Sequence, residues 1–147
     1  MSHFTIDELT HSDTALRKGI DNTPDAEALA NLDILMSGLE RVRAALGKPM
    51  HISSGYRGPK LNAAIGGSRS SAHMKGLAAD FTCPAFGDPL VVCCYLVIMH
   101  KSINYDQLIS EGRWIHIGFA DVDQLPRGEV LTAHFSNGGV TYTKGLV

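Results

Sequence analysis

Apolar residues recur at three- and four-residue steps through Leu29, Leu32, Met36, Leu39, Val42 and Leu46, the stripe of an amphipathic helix. Thr23 is placed to cap its N-terminus and Pro24 to occupy its first position. Asp25 and Glu27 favour the positive end of the dipole. Gly47 and then Pro49 stop it. The stretch before it is polar and mixed, with Phe4, Ile6 and Leu9 available as anchors. Residues 50–54 read as a short strand, and residues 55–71, with four glycines and one proline, as a loop holding a short helix over 60–65. Residues 77–83 alternate Leu77, Ala79 and Phe81 against Ala78, Asp80 and Thr82, as a strand does. Asp88-Pro89 opens a second helix over 90–101, apolar on nearly all sides and therefore expected to be buried. Strands follow at 105–111 and 113–119 around Gly112. A hairpin is expected at 131–135 and 140–142 around Asn137-Gly138-Gly139. The pattern predicts an α+β fold, a small antiparallel sheet flanked by helices, in a single domain over 1–147.

Composition narrows the function. Of 147 residues, 44% are hydrophobic and 19% charged, enough for a real core. A formal net charge of −2 offers no basic field for phosphates, so no nucleic-acid partner is expected. The longest apolar run, 90–99, falls short of the ~20 residues that span a bilayer, so no membrane partner is expected. The first residues carry neither a basic segment nor an apolar one, and no secretory signal is read there. Cys83, Cys93 and Cys94 form no CxxC, which argues against a thiolate zinc cluster. They are expected to be buried thiols of a protein made in a reducing compartment.

Seven histidines direct attention to two segments. In Ser71-Ala72-His73-Met74-Lys75-Gly76-Leu77-Ala78-Ala79-Asp80, His73 ends a loop and Asp80 lies on a strand whose opposite face is apolar. In Trp114-Ile115-His116-Ile117-Gly118-Phe119, Ile115, Ile117 and Phe119 share the core face, and His116 shares the other with Trp114 and Gly118. Two imidazoles and a carboxylate suit Zn²⁺ with a fourth position left open, the catalytic arrangement rather than the structural one. Taken alone, the spacing from His73 to Asp80 is a weak signal, and a strand histidine such as His116 is more often a structural residue.

The ordered set Ser53-Ser54-Gly55-Tyr56-Arg57, Asn62, Gly66-Gly67, Ser71-x-His73-x-x-Gly76-x-Ala78-x-Asp80 and Trp114-Ile115-His116 resembles the M15 family of zinc peptidases. The nearest branch is M15A, the phage and bacterial murein peptidases, related to D-Ala-D-Ala carboxypeptidases and L-alanyl-D-glutamate endolysins. The resemblance runs over roughly 4–119. It implies one zinc ion per chain, held by His73, Asp80 and His116 in a cleft on one face of the sheet. In much of the family an acidic residue lies three positions before the last histidine; here that position is Arg113, a departure. Glu111, ending a DQLI-type strand, is the expected base for the metal-activated water, with Asp106 in reserve. By the same resemblance Arg57 orients substrate or stabilises the oxyanion, and Ser71 hydrogen-bonds substrate. Tyr56 and Trp114 either wall the cleft or pack in the core. His3, His11, His51, His100 and His134 have no partner pattern and are read as bystanders.

The expected activity is zinc-dependent hydrolysis of peptide bonds in bacterial peptidoglycan, in the stem or the cross-bridge, by an endopeptidase or a D,D-carboxypeptidase acting as a monomer. A phage endolysin made in the host cytoplasm and acting on the cell wall fits the absence of a signal. Two other readings stand beside it: a non-catalytic zinc- or peptidoglycan-binding module, and a phage structural protein of the same fold. Neither needs a base at Glu111.

Overall fold

The computed structural model describes residues 2–147. Two short helices come first, α1 (Ile6–Thr10) and α2 (Asp13–Lys18), each started by a hydroxyl cap: Thr5 accepts from Glu8 N–H and Ser12 from Ala15 N–H. The polar, mixed composition of this stretch does not announce either helix. Its anchors do bury, Phe4 and Leu9 at the core and Ile6 packed against it.

The long helix α3 spans Ala26–Leu46. Its cap is Asp25 rather than Thr23, because Asp25 accepts from Ala28 N–H while Thr23 turns back onto the Asp21 carboxylate. The buried stripe is Ala28, Asn31, Leu32, Leu35, Gly38, Leu39, Val42 and Leu46, so Leu29 is left exposed and Met36 half-buried at the edge. At Gly38 any side chain would occupy the space of the Phe119 ring, which is how the helix comes so close to the sheet.

Then follow β1 (His51–Ser54), α4 (Pro59–Ala64), a 3-10 turn at Ala72–Lys75, β2 (Ala78–Thr82) and α5 (Pro89–Ile98). The chain closes with α6 (His100–Ile103), β3 (Gln107–Ser110), β4 (Ile115–Gly118), β5 (Glu129–Ser136) and β6 (Gly139–Lys144). The expected helix over 90–101 is therefore two pieces, broken at Met99. It is also not buried all round: Val92, Cys93 and Leu96 face the core, while Leu90, Val91, Cys94 and Ile98 face water. A helix on the outer layer of a two-layer fold has only one face to bury. The expectation of three buried thiols thus holds for Cys83 and Cys93 and fails for Cys94.

The sheet has six strands in the order β1-β2-β4-β3-β5-β6. Its pairings are antiparallel except β3 with β5, a parallel contact that the alternation pattern did not reveal. Side chains alternate across it. One face carries Phe81, Ile115, Ile117 and Leu108, all fully buried, in one cluster with the apolar stripe of α3 and with Val92 and Leu96 of α5. The other face carries Asp80 and His116. Among the described residues no helix is long and apolar enough to cross a membrane.

Candidate metal centre

Asp80 and His116 face each other because β2 and β4 pair them directly in the antiparallel register. Both strands bury their alternate residues, Ala79, Phe81, Ile115 and Ile117, which fixes which way the polar pair points. His73 arrives from a different direction, on the 3-10 turn. Ser71 Oγ caps that turn by accepting from His73 N–H, and Gly76 ends it at φ 76°. A side chain at Gly76 would press on the Ala28 carbonyl of α3, and Asn31 of the same helix donates to the Lys75 carbonyl at 2.9 Å. The long helix therefore holds the His73 turn against the sheet.

The three side chains converge. His73 Nε2 lies 3.2 Å from Asp80 Oδ1 and 3.2 Å from His116 Nδ1, and His116 Nδ1 lies 3.1 Å from Asp80 Oδ1. The other nitrogen of His73, Nδ1, sits 2.8 Å from the Gly55 carbonyl, an acceptor only. Nδ1 must carry a proton to donate there, so in the neutral ring Nε2 turns a lone pair toward Asp80 and His116. A carboxylate oxygen and imidazole lone pairs meeting at one point want a cation between them. Edges near 3.2 Å are close to the ~3.4 Å of a tetrahedron with ligand distances of about 2.1 Å, the zinc geometry. The group fits zinc by donor type and by spacing. Burial alone would raise the pKa of Asp80. The two imidazoles, His116 and His73, packed against the carboxylate outweigh it and hold the carboxyl well below the usual carboxylate range. The carboxylate stays an ionised donor at any pH where the fold is of interest.

Glu111 follows β3 and stands half-buried, with Gly112 at φ 82° turning the chain after it. Burial raises its pKa, and the charge of Asp80 raises it further, while His116 and Arg57 pull it down. The four groups therefore share one electrostatic neighbourhood, the surroundings that make a carboxylate a usable base. Arg57 is also half-buried. Burial lowers its pKa and the charges of Asp80 and Glu111 oppose that. Its Nη2 donates to Ser71 Oγ at 3.4 Å, while its Nε is buried without a partner. A buried guanidinium N–H with nothing to bond is an anion site in waiting. A cavity of about 410 Å³ lies against Arg57, lined also by Arg17, Ser53, Ser54, Tyr56 and Leu61.

Asp106, the reserve base, is not brought to this group. It lies at the opposite end of β3, where both its oxygens accept from Arg127. Tyr56 is buried in the core, whereas Trp114 is half-buried on the site face. The five remaining histidines are exposed. His3 pairs with Glu40 and His11 with Asp13, and His134 bonds Thr143 Oγ1.

One residue of the site's support had no signal in the sequence. Asn22 Nδ2 donates to the carbonyls of Thr10 and Tyr56 at 2.9 and 3.1 Å, and its Oδ1 accepts from Gly58 N–H at 2.8 Å. It ties the end of α1 to the Gly55–Gly58 loop that supplies both Arg57 and the carbonyl behind His73. Tyr56 N–H, donating to the Leu9 carbonyl at 2.7 Å, reinforces the same joint, and Gly55 leaves room for it, since any Cβ there would strike Leu9. A lone Asn in a polar stretch reads as loop chemistry until the loop it clamps is known.

Comparison with known proteins places this geometry. The model of the peptidase M15 family matches residues 2–117, a span that contains His73, Asp80, His116, Glu111, Arg57 and Ser71 and stops before β5. Over 111 residues the chain is 35% identical to the zinc D-Ala-D-Ala carboxypeptidase of Streptomyces albus G, an alignment covering 75% of this chain and 41% of that protein. The chain thus corresponds to less than half the length of that relative. On a family match over most of its length, the chain belongs to the peptidase M15 family.

Proposed function

We propose that this protein is a zinc metallopeptidase that hydrolyses peptide bonds of bacterial peptidoglycan, in the stem peptide or the cross-bridge. The observation that carries the reading is the convergence of His73 Nε2, Asp80 Oδ1 and His116 Nδ1, with Glu111 and Arg57 in the same electrostatic neighbourhood. The name of the Streptomyces relative supports both the metal and a D-Ala-D-Ala terminus as substrate. His73, Asp80 and His116 would hold the ion. When bound, zinc polarises the scissile carbonyl and acidifies water.

The chain's own groups do the rest. Glu111 takes the proton of the attacking water on a carboxylate oxygen and passes it to the leaving amine. Its raised pKa brings proton affinity closer to what that exchange needs. Arg57 turns its unpartnered Nε–H to a substrate carboxylate or to the developing oxyanion. Ser71, already bonded to Arg57, holds the guanidinium and lends its hydroxyl to substrate. The role of a phage endolysin, acting on the wall from inside the host, belongs to the same proposal.

Mass spectrometry of purified muropeptides after incubation with the zinc-loaded protein tests the reading. A new amine and carboxyl pair in the stem or cross-bridge, abolished by chelation, is the expected result. Where the mass falls identifies the bond: loss of one terminal alanine marks a carboxypeptidase, and release of a longer fragment an endopeptidase. Tight binding of stem peptides with no cleavage would leave a binding module in its place.

A further inference from the structure

The face of the sheet that carries the metal centre does not end there. Asp80 pairs with His116, His116 with Ile109 and Ile109 with Leu131. Across the hairpin Ala133 pairs with Tyr142 and Phe135 with Val140. Directly paired residues share a face, and so do residues two apart on a strand. Tyr142, Val140, Phe135, Ala133 and Leu131 therefore stand on the same face as Asp80 and His116. Trp114, two residues before His116, joins them: its ring meets that of Phe135 with centroids 6.0 Å apart.

The patch of Trp114, Phe135, Val140 and Tyr142 is aromatic and apolar, and Lys144, paired with Leu131, stands at its edge on the same face. Phe135 is 58% exposed and Tyr142 49%. Burial and the negative charges of Glu111 and Asp80 raise the pKa of the Tyr142 phenol, so Tyr142 lies within electrostatic reach of both carboxylates and stays a proton donor at neutral pH. A donor hydroxyl and aromatic rings on the face of two carboxylates suit a peptide: the phenol bonds a backbone carbonyl, and the rings take small apolar side chains such as alanine methyls. Strands β5 and β6 lie outside the span matched by the family model.

We infer that the β5–β6 hairpin forms a substrate-binding wall of the metal centre, and that Tyr142 is a substrate-contacting residue that sets affinity for the peptide. The inference rests on the peptidase reading, and its test separates the two. Trp114 is the single tryptophan of the chain, so its fluorescence reports on the wall directly. The probe is a stem pentapeptide ending in D-Ala-D-Ala, titrated into zinc-loaded Glu111→Gln protein, which is expected to bind without cutting. A saturable change in Trp114 emission is expected. Adding Tyr142→Ala should weaken Kd about 10-fold and Tyr142→Phe about threefold, the scale of a lost ring contact and a lost hydrogen bond. In the otherwise wild-type chain Tyr142→Phe should raise KM, with kcat held within about twofold and zinc content unchanged.

Wild-type Kd in both Tyr142 variants overturns the wall, even where muropeptide cleavage shows the peptidase reading to be right. Absence of both cleavage and binding in the wild-type chain overturns the peptidase reading and the wall with it. If Tyr142→Ala does not fold, Tyr142→Phe, which keeps the ring, decides by its threefold shift. A Tyr142→Ala change that alters sedimentation of the free protein but not Kd assigns the patch to self-association, and the proposal falls.

Discussion

Strand β3 has a carboxylate at each end, and the two are held in opposite ways. Before the strand, Asp106 accepts a fork of hydrogen bonds from Arg127, at 2.8 to 3.2 Å, and also the Arg127 backbone N–H at 2.9 Å. Although burial works the other way, the bonds and charge of Arg127 lower its pKa. After the strand, Glu111 makes no side-chain hydrogen bond among the described residues, and burial beside Asp80 raises its pKa. Asp106 is spent on structure: it joins the start of β3 to the approach to β5. Glu111 is left with a charge it is poorly placed to keep, within the fields of Asp80, His116 and Arg57. Both are carboxylates flanking the same strand. What differs is whether a cation is already in place.

The sharpest way to break this comparison is to remove the cation site. His116→Ala should reduce bound zinc from one per chain to a small fraction and reduce peptide hydrolysis to background, as elemental analysis and turnover would show. Asp106→Asn should leave both untouched. Full zinc in His116→Ala would dissolve the metal end of the contrast.

Next in size is the base itself. Glu111→Gln should keep its zinc and lose kcat by roughly 10²-fold or more, the scale of general acid–base catalysis. In Asp106→Asn kcat should stay within about threefold. Comparable losses in the two variants would show that the ends of β3 do not divide the work as their surroundings imply.

Arg57 offers a finer cut. Arg127 uses its fork on Asp106, whereas the Nε of Arg57 is unused. Arg57→Lys keeps the charge and loses the fork, so activity should fall about 10-fold with zinc retained. A rise in KM would place the guanidinium on a ground-state carboxylate, and a fall in kcat would place it on the oxyanion. Wild-type rates in both Arg57→Lys and Arg57→Ala would show that the empty Nε serves nothing.

What the sequence discloses follows the range of the interaction. The pairing of Asp80 with His116 is written in period two: each sits between buried residues of its own strand, so each is aimed before its partner is known. The α3 stripe is legible in the same way, although its cap was displaced by two residues because Thr23 and Asp25 are both competent and only the structure shows Thr23 occupied by Asp21. The pairing of β3 with β5, the Asn22 clamp and the Arg127 fork on Asp106 join residues many positions apart with no local period. Helix α5 misled for a related reason. Nearly every residue in it is apolar, so no stripe marks the outer face that leaves Ile98 75% exposed.

The smallest effect tests the contrast in stability, on metal-free protein, where the surroundings just described apply without the ion's charge. Asp106 has its pKa lowered in the folded state. Its contribution is present above the unfolded value near 3.8 and is lost as pH falls through the folded one. Asp106→Asn should therefore lower the melting temperature at pH 7, by an amount that shrinks as pH falls below 3.8. Arg127 is more than half exposed, so the loss should be at most about 1 kcal/mol, or about 2–4 °C. Glu111 has its pKa raised. Its contribution is present below the unfolded value near 4.5 and is lost as pH rises through the folded one. Glu111→Gln removes that penalty, so it should melt higher than the wild-type chain at pH 7 and level with it near pH 4. Wild type and variant are compared at each pH, and the difference between them isolates the carboxylate. Thermal melts in chelator across pH 3–7 read both differences at once. Opposite signs at pH 7, converging in acid, are what two differently held carboxylates require; a fall in both variants would mean that Glu111, like Asp106, is already held by a partner in the folded chain.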